Sequence, residues 1–132
     1  MNSNMKATPL RLAADRIAAP LASIASPQRV AILLAIGEGE ACVCHLEAAL
    51  GWRQPYISQH LMELRSAGIL AHRREGRFIY YRLKDPSLLE LIGLSARLSH
   101  VRLPASASSN RSRSKSECPC PKCGEEEEAE AA

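Results

Sequence analysis

Apolar positions recur along this chain with two different periods, and the points where the period changes mark its elements. Leu10, Ala14, Ile17, Leu21 and Ile24 fall at spacings of 4, 3, 4 and 3, which lines one face of a helix. Pro20 lies inside that run and predicts a kink or a break, because proline donates no hydrogen bond and its ring crowds the preceding turn. Ser26-Pro27 then reads as a helix start, serine as N-cap and proline in the first helical position, leading into Arg29 to Ile36 and ending at Gly37 and Gly39. This second helix is short and almost wholly apolar, so it belongs in the core.

Cys42 to Leu50 predicts another short helix, with Leu46, Ala49 and Leu50 inward and Gly51 placed to take the left-handed conformation that closes a helix. A further helix starts near Gln54-Pro55, carries Ile57, Leu61 and Leu64 on its inner face, and stops at Gly68. Two short helices around a glycine, the second longer and polar on its outer face, form a helix-turn-helix candidate. The period then shortens to that of extended chain. Leu70 to Arg74 and Arg77 to Leu83 read as strands, the second rich in Phe78, Ile79, Tyr80 and Tyr81, with Glu75-Gly76 as the turn between them. Asp85-Pro86 opens a last helix in which Leu88, Leu91, Ile92 and Ser95 share a face down to about Leu98.

The expected fold is mainly α with a small β-hairpin, in the order of a winged helix-turn-helix. Residues 8–100 would form this folded domain. Residues 101–132 would follow as a tail: a Ser/Arg linker over 104–117, a cysteine-rich segment and an acidic end. A chain of 132 residues with 46% hydrophobic content supports one modest core, not two. It has no run of about 18 apolar residues and no secretory leader pattern at Met1 to Ala14, so the expectation is a soluble, cytoplasmic protein with no membrane partner.

Charge sharpens this picture. The net charge of +3 includes Glu125, Glu126, Glu127, Glu128 and Glu130; without residues 124–132 the balance is 17 basic to 9 acidic, a net of +8. A positive body favours an anionic partner, and nucleic acid is the commonest, since its phosphates release condensed counterions on contact. No nucleophile, base and oxyanion set occurs in a pocket-like motif, so an enzyme is not expected.

The five cysteines, an odd number with no export signal, argue for reduced thiols over a disulfide framework. Cys42-Val43-Cys44 sets two thiols close enough to grip one soft cation, provided Cys42 lies at or before the first helical turn, since residues two apart on a helix face opposite ways. A helix N-terminus also favours the thiolate form. Cys118, Cys120 and Cys123 alternate with prolines that keep the segment extended. A flexible linker of about 20 residues spans roughly 25 Å, so these thiols can reach Cys42 of the same or a partner subunit.

Taken in order, Cys42-Val43-Cys44-His45-Leu46, Leu50-Gly51, Gln54-Pro55, Ile57-Ser58-Gln59-His60-Leu61, Leu64-Arg65, Ala67-Gly68-Ile69-Leu70, Arg73-Arg74-Glu75-Gly76-Arg77 and Tyr80-Tyr81-Arg82-Leu83 resemble the ArsR/SmtB repressors. The resemblance implies that the helix beginning at Gln54 enters the major groove of double-stranded operator DNA, with Gln54, Tyr56, Ser58, Gln59 and His60 as contacts. It implies that Arg73, Arg74 and Arg77 at the wing meet the backbone or the minor groove. It further implies a homodimer built from the first and last helices, which makes residues 8–100 the DNA-binding and dimerisation domain.

The resemblance also bears on the ligand. In similar arsenic repressors a third cysteine follows three residues after the second, where this chain has Glu47, so the third thiolate would come from Cys118, Cys120 or Cys123. His45 stands where an aspartate is usual, and Trp52-Arg53 where a small capping residue is usual. The zinc site that such proteins carry on the last helix keeps only Asp85, since Ser87, Leu98 and Val101 occupy its other places. The implied function is a repressor that leaves operator DNA when As(III) or Sb(III) binds its cysteines. The alternatives are Cd(II), Pb(II) or Zn(II) sensing by four thiolates, a thiol redox sensor, and a metal-buffering protein.

Overall fold

The computed structural model describes residues 8–103. Among these, the elements run α1 (Pro9–Ile24), α2 (Pro27–Ile36), β1 (Ala41–Cys42), α3 (Val43–Leu50), α4 (Gln54–Ser66), β2 (Leu70–Glu75), β3 (Phe78–Leu83) and α5 (Ser87–Leu98). Local chemistry sets most of the boundaries. The Thr8 hydroxyl caps α1 by accepting from the Arg11 amide at 3.1 Å, and the Ser26 hydroxyl caps α2 by accepting from Arg29 at 3.2 Å, each ahead of a proline in the first turn. At the far end of α3, Gly51 adopts φ 69°, ψ 22°, the left-handed conformation expected of it.

The structure departs from the sequence reading at several points. Of the kink or break expected at Pro20, the break does not occur: the first helix runs continuously from Pro9 to Ile24. Both Pro20 and Arg16 are exposed, so the carbonyl that the missing amide leaves without a helical partner faces water. Cys42 does not begin the third helix. It lies in β1, whose Ala41 and Cys42 pair with Tyr81 and Tyr80, and its extended backbone (φ −86°, ψ 167°) makes it the N-cap of α3. The expected two-stranded hairpin is therefore a three-stranded antiparallel sheet in the order β1-β3-β2. Its wing turn is Gly76-Arg77, one residue later than expected, flanked by the Glu75–Phe78 pair. Gly76 sits at φ 61° in the first central position, where a two-residue hairpin turn admits glycine at no steric cost.

The core joins α2, α3, α4 and the sheet. Ile32 and Leu33 of α2, Leu46 of α3, and Ile57, Leu61 and Leu64 of α4 are fully buried together, with Leu70 and Tyr81 of the sheet closing one side. This packing fixes the start of α4 against the end of α3. Among the described residues, no single helix is long and apolar enough to cross a membrane.

Candidate thiol site and nucleic-acid interface

Because Cys42 ends a strand and Cys44 lies in the first turn of the following helix, their side chains converge where two residues of one regular helix would diverge. Their sulfurs are 3.2 Å apart. Cys42 is buried against Tyr80, with Cys44 and Phe78 packed on the same small cluster. The pair opens into a cavity of about 240 Å³ that is also lined by Val43, Glu47, Gln54, Arg77, Phe78 and Ile79. One wall is thus the first residue of α4 and another is the wing turn.

Two sulfurs at 3.2 Å fit a single soft ion. Cys42 and Cys44 would hold such an ion through two thiolates, and soft thiolate donors suit thiophilic ions. Among the described residues, no group of three or more Cys, His, Asp and Glu side chains comes together at a point, so Glu47 and His45 do not complete a ligand set. Cys118, Cys120 and Cys123 lie outside the described residues.

On α4 the candidate contacts divide by exposure. Gln54, Tyr56 and Gln59 are exposed, whereas Ser58 and His60 are half-buried. The Tyr56 ring meets Trp52 edge-on at 5.4 Å and His60 edge-on at 4.8 Å, so three aromatic rings stand in a row over the first turns of the helix. Trp52 is therefore a packing partner of a candidate contact, a role that reading the sequence did not assign. His60 Nδ1 is buried with no hydrogen-bond partner among the described residues.

The three wing arginines differ from one another. Arg77 lies over the Phe78 ring at 5.3 Å and borders the thiol cavity, and Arg74 is exposed opposite Ile79 of β3. Arg73, on the face of β2 opposite to Arg74, is tied down: its Nε donates to Glu40 Oε2 at 2.6 Å, a terminal nitrogen donates to Glu75 Oε2 at 2.8 Å, and its guanidinium lies 4.7 Å over the Tyr80 ring. Hydrogen bonds to Glu40 and Glu75 raise its already high pKa further. At the start of α5, Asp85 Oδ1 accepts from both the Ser87 amide and the Ser87 hydroxyl, at 3.0 and 2.7 Å, and these bonds lower its pKa. That carboxylate is engaged in starting a helix.

The fold and site define a winged helix-turn-helix domain with a vicinal thiol pair at the junction of sheet and helix. The chain belongs to the arsR family of bacterial regulatory proteins, whose profile matches residues 26–71. It is 59% identical over 51 residues to the arsenic resistance transcriptional regulator ArsR1 of Pseudomonas putida, covering 39% of this chain and 40% of that one. It is 40% identical over 86 residues to the HTH-type transcriptional repressor SmtB of Mycobacterium tuberculosis, covering 65% of this chain and 64% of that one. The chain thus spans less than two thirds of either relative. Among solved structures, the transcriptional repressor BigR of Xylella fastidiosa superposes with a TM-score of 0.62 at 31% identity, over 71% of this chain and 96% of that one.

Proposed function

We propose that this protein is a transcriptional repressor that binds operator DNA as a homodimer and releases it when a thiophilic ion, As(III) or Sb(III), occupies Cys42, Cys44 and a tail thiol among Cys118, Cys120 and Cys123. The observation that carries the reading is the sulfur pair 3.2 Å apart in a cavity that Gln54 and Arg77 also line. Likeness to a regulator named for arsenic resistance supports the choice of ion.

In this reading Gln54, Tyr56 and Gln59 meet base edges or phosphates in the major groove, Ser58 and His60 flank them, and Arg74 and Arg77 meet the backbone at the wing. The bound ion supplies strong bonds to sulfur that fix the separation and orientation of its ligands. Cys42 and Cys44 sit on consecutive elements, so holding them in one ligand geometry constrains the angle at which β1 enters α3, and α3 in turn seats the first turn of α4. Release requires only that this geometry fit the DNA-free conformer better than the DNA-bound one, by a coupling that is typically 1–3 kcal/mol. The dimer would use the exposed apolar faces of α1 and α5.

The test is operator release followed by fluorescence anisotropy, with arsenite, antimonite, Cd(II), Pb(II), Zn(II) and peroxide as challenges. Arsenite is expected to release the full chain but not the variant Cys42→Ser with Cys44→Ser, which should bind ion-free operator as the parent does. Release of that variant by arsenite would move the switch out of the pair. Release by peroxide alone would favour a redox sensor, and an absence of sequence-specific DNA binding would favour a buffering protein.

A further inference from the structure

We propose that Arg73 is a positioning residue that couples the thiol pair to the wing, not a contact to DNA, and that Glu40 and Tyr80 complete the coupling. The inference rests on the reading of Cys42 and Cys44 as an ion site, and it concerns how occupancy there reaches the DNA-binding surface.

The route is continuous in the described residues. Cys42 pairs across the sheet with Tyr80, and the two are buried together. Tyr80 pairs on its other side with Arg73, whose guanidinium also covers its ring. Arg73 then reaches in two directions at once, to Glu40, two residues before Cys42, and to Glu75, the last residue before the wing turn. One side chain therefore clamps both ends of the path: the strand that carries the first thiol and the hairpin that carries Arg77. Its charge is matched by two carboxylates, so it has little left to offer a phosphate. Arg74, on the opposite face of the same strand, is the better placed to meet one.

The consequence is mechanical. A change in the backbone at Cys42 shifts the β1–β3 bridge, and the Glu40–Arg73–Glu75 clamp carries that shift past Tyr80 to the turn. Without the clamp, β1 and the wing are joined through the short bridge at residues 41 and 42 and through Phe78 packed on the Cys42–Tyr80 cluster, and neither ties the β2 side of the wing to Glu40. Occupancy of the thiols would then alter α3 and reach Phe78 but leave the β2 side of the wing where it was.

The test uses the full chain with Glu40→Gln and, separately, Arg73→Ala, and arsenite as the probe. Glu40 is half-buried outside the strands and its amide is nearly isosteric, so the Glu40→Gln variant should fold as the parent does, checked by circular dichroism and thermal unfolding. The first readout is NMR of backbone amides. Arsenite should shift residues 40–45, the cavity-lining residues 77–79 and the β2 residues 73–76 in the parent, but should leave residues 73–76 unmoved in either variant. The second is the ratio of operator affinities without and with arsenite, expected to fall about tenfold in both variants while the arsenite-to-protein stoichiometry is unchanged. The third is the salt slope of ion-free operator binding, which should drop for Arg74→Ala and stay unchanged for Arg73→Ala. Amides of residues 73–76 that do not move in the parent, or move equally in Glu40→Gln, would overturn the coupling whether or not DNA is released. A salt slope that falls for Arg73→Ala would return that residue to the DNA contacts. Arsenite that shifts the wing through the clamp yet leaves DNA bound would sink the proposed function and keep the coupling.

Discussion

Helices α1 and α4 carry the same kind of apolar stripe, yet the fold treats them in opposite ways. In α4 the stripe Ile57, Leu61, Leu64 is fully buried against α2, α3 and the sheet. In α1 only Ile24 at the C-terminal end is buried, and Leu10, Ile17 and Leu21 stay 81%, 63% and 42% exposed. Helix α5 resembles α1, with Ile92 inside and Leu94 and Leu98 outside. Periodicity shows that a face is apolar; it does not show what covers it. At the α4 end the cover is the rest of this chain, and the small buried cluster there also holds the thiols. At the α1/α5 end the proposed cover is a second copy, which would remove side chains too large and too contiguous to be scattered surface residues.

The largest effect that separates the two ends is on stability. Leu61→Ala opens a cavity in a closed core and should cost about 2–5 kcal/mol in denaturant unfolding, independent of protein concentration. Leu10→Ala should cost under about 0.5 kcal/mol in dilute protein, as truncation of an exposed side chain does. If Leu10→Ala costs as much as Leu61→Ala at every concentration, the two helices do not differ in the way described.

A smaller effect falls on association. The pair Ile17→Glu with Leu21→Glu places two charges on the open face of α1 without touching the thiol site. Sedimentation should then give a monomer, and operator affinity should fall by at least about tenfold, or about 1.4 kcal/mol, because one subunit reads one half-site. A variant that stays dimeric would place the subunit contact elsewhere.

The same contrast explains what the sequence made legible. Ser26-Pro27, Gly51 and the arginine-rich turn are readable because each boundary is set by chemistry within three or four residues. The convergence of Cys42 and Cys44 was readable as a condition, that the first thiol precede the first helical turn. The means by which the chain meets that condition was not, since β1 is two residues long and exists only through its pairing with Tyr80 and Tyr81. For the same reason Arg73 read as one of three equivalent wing arginines. Its partner Glu40 is 33 residues away in the chain, and no local pattern announces such a pair.

Comparable in size are the contacts that the closed end is proposed to make with DNA. Gln54→Ala should cost about 1–3 kcal/mol and relax sequence preference at one position, whereas Arg77→Ala should weaken binding to all sequences alike and reduce the salt slope by about 1. Both are exposed, so neither should change thermal unfolding. Equal losses on specific and random DNA for Gln54→Ala would take that residue out of base reading.

The smallest effect lies at the start of α5, and it asks whether the open end has any order that does not depend on a partner. Asp85 is exposed, yet it accepts two hydrogen bonds from Ser87, and these depress its pKa in the folded chain. An unfolded aspartate titrates near about 3.9. A group whose folded pKa lies below that value adds stability that is fully present above it and disappears as pH falls through the folded pKa. Asp85→Ala should therefore lower the melting temperature slightly and by a constant amount above roughly pH 5, with the gap to the parent closing as the solution is made more acid. Because both bonds are local, the gap should be the same at every protein concentration, unlike the stability that the proposed second copy would lend to α1. A gap that grows with concentration would show that Asp85 acts through the subunit contact, and the start of α5 would then belong to the interface instead of to the fold of one chain.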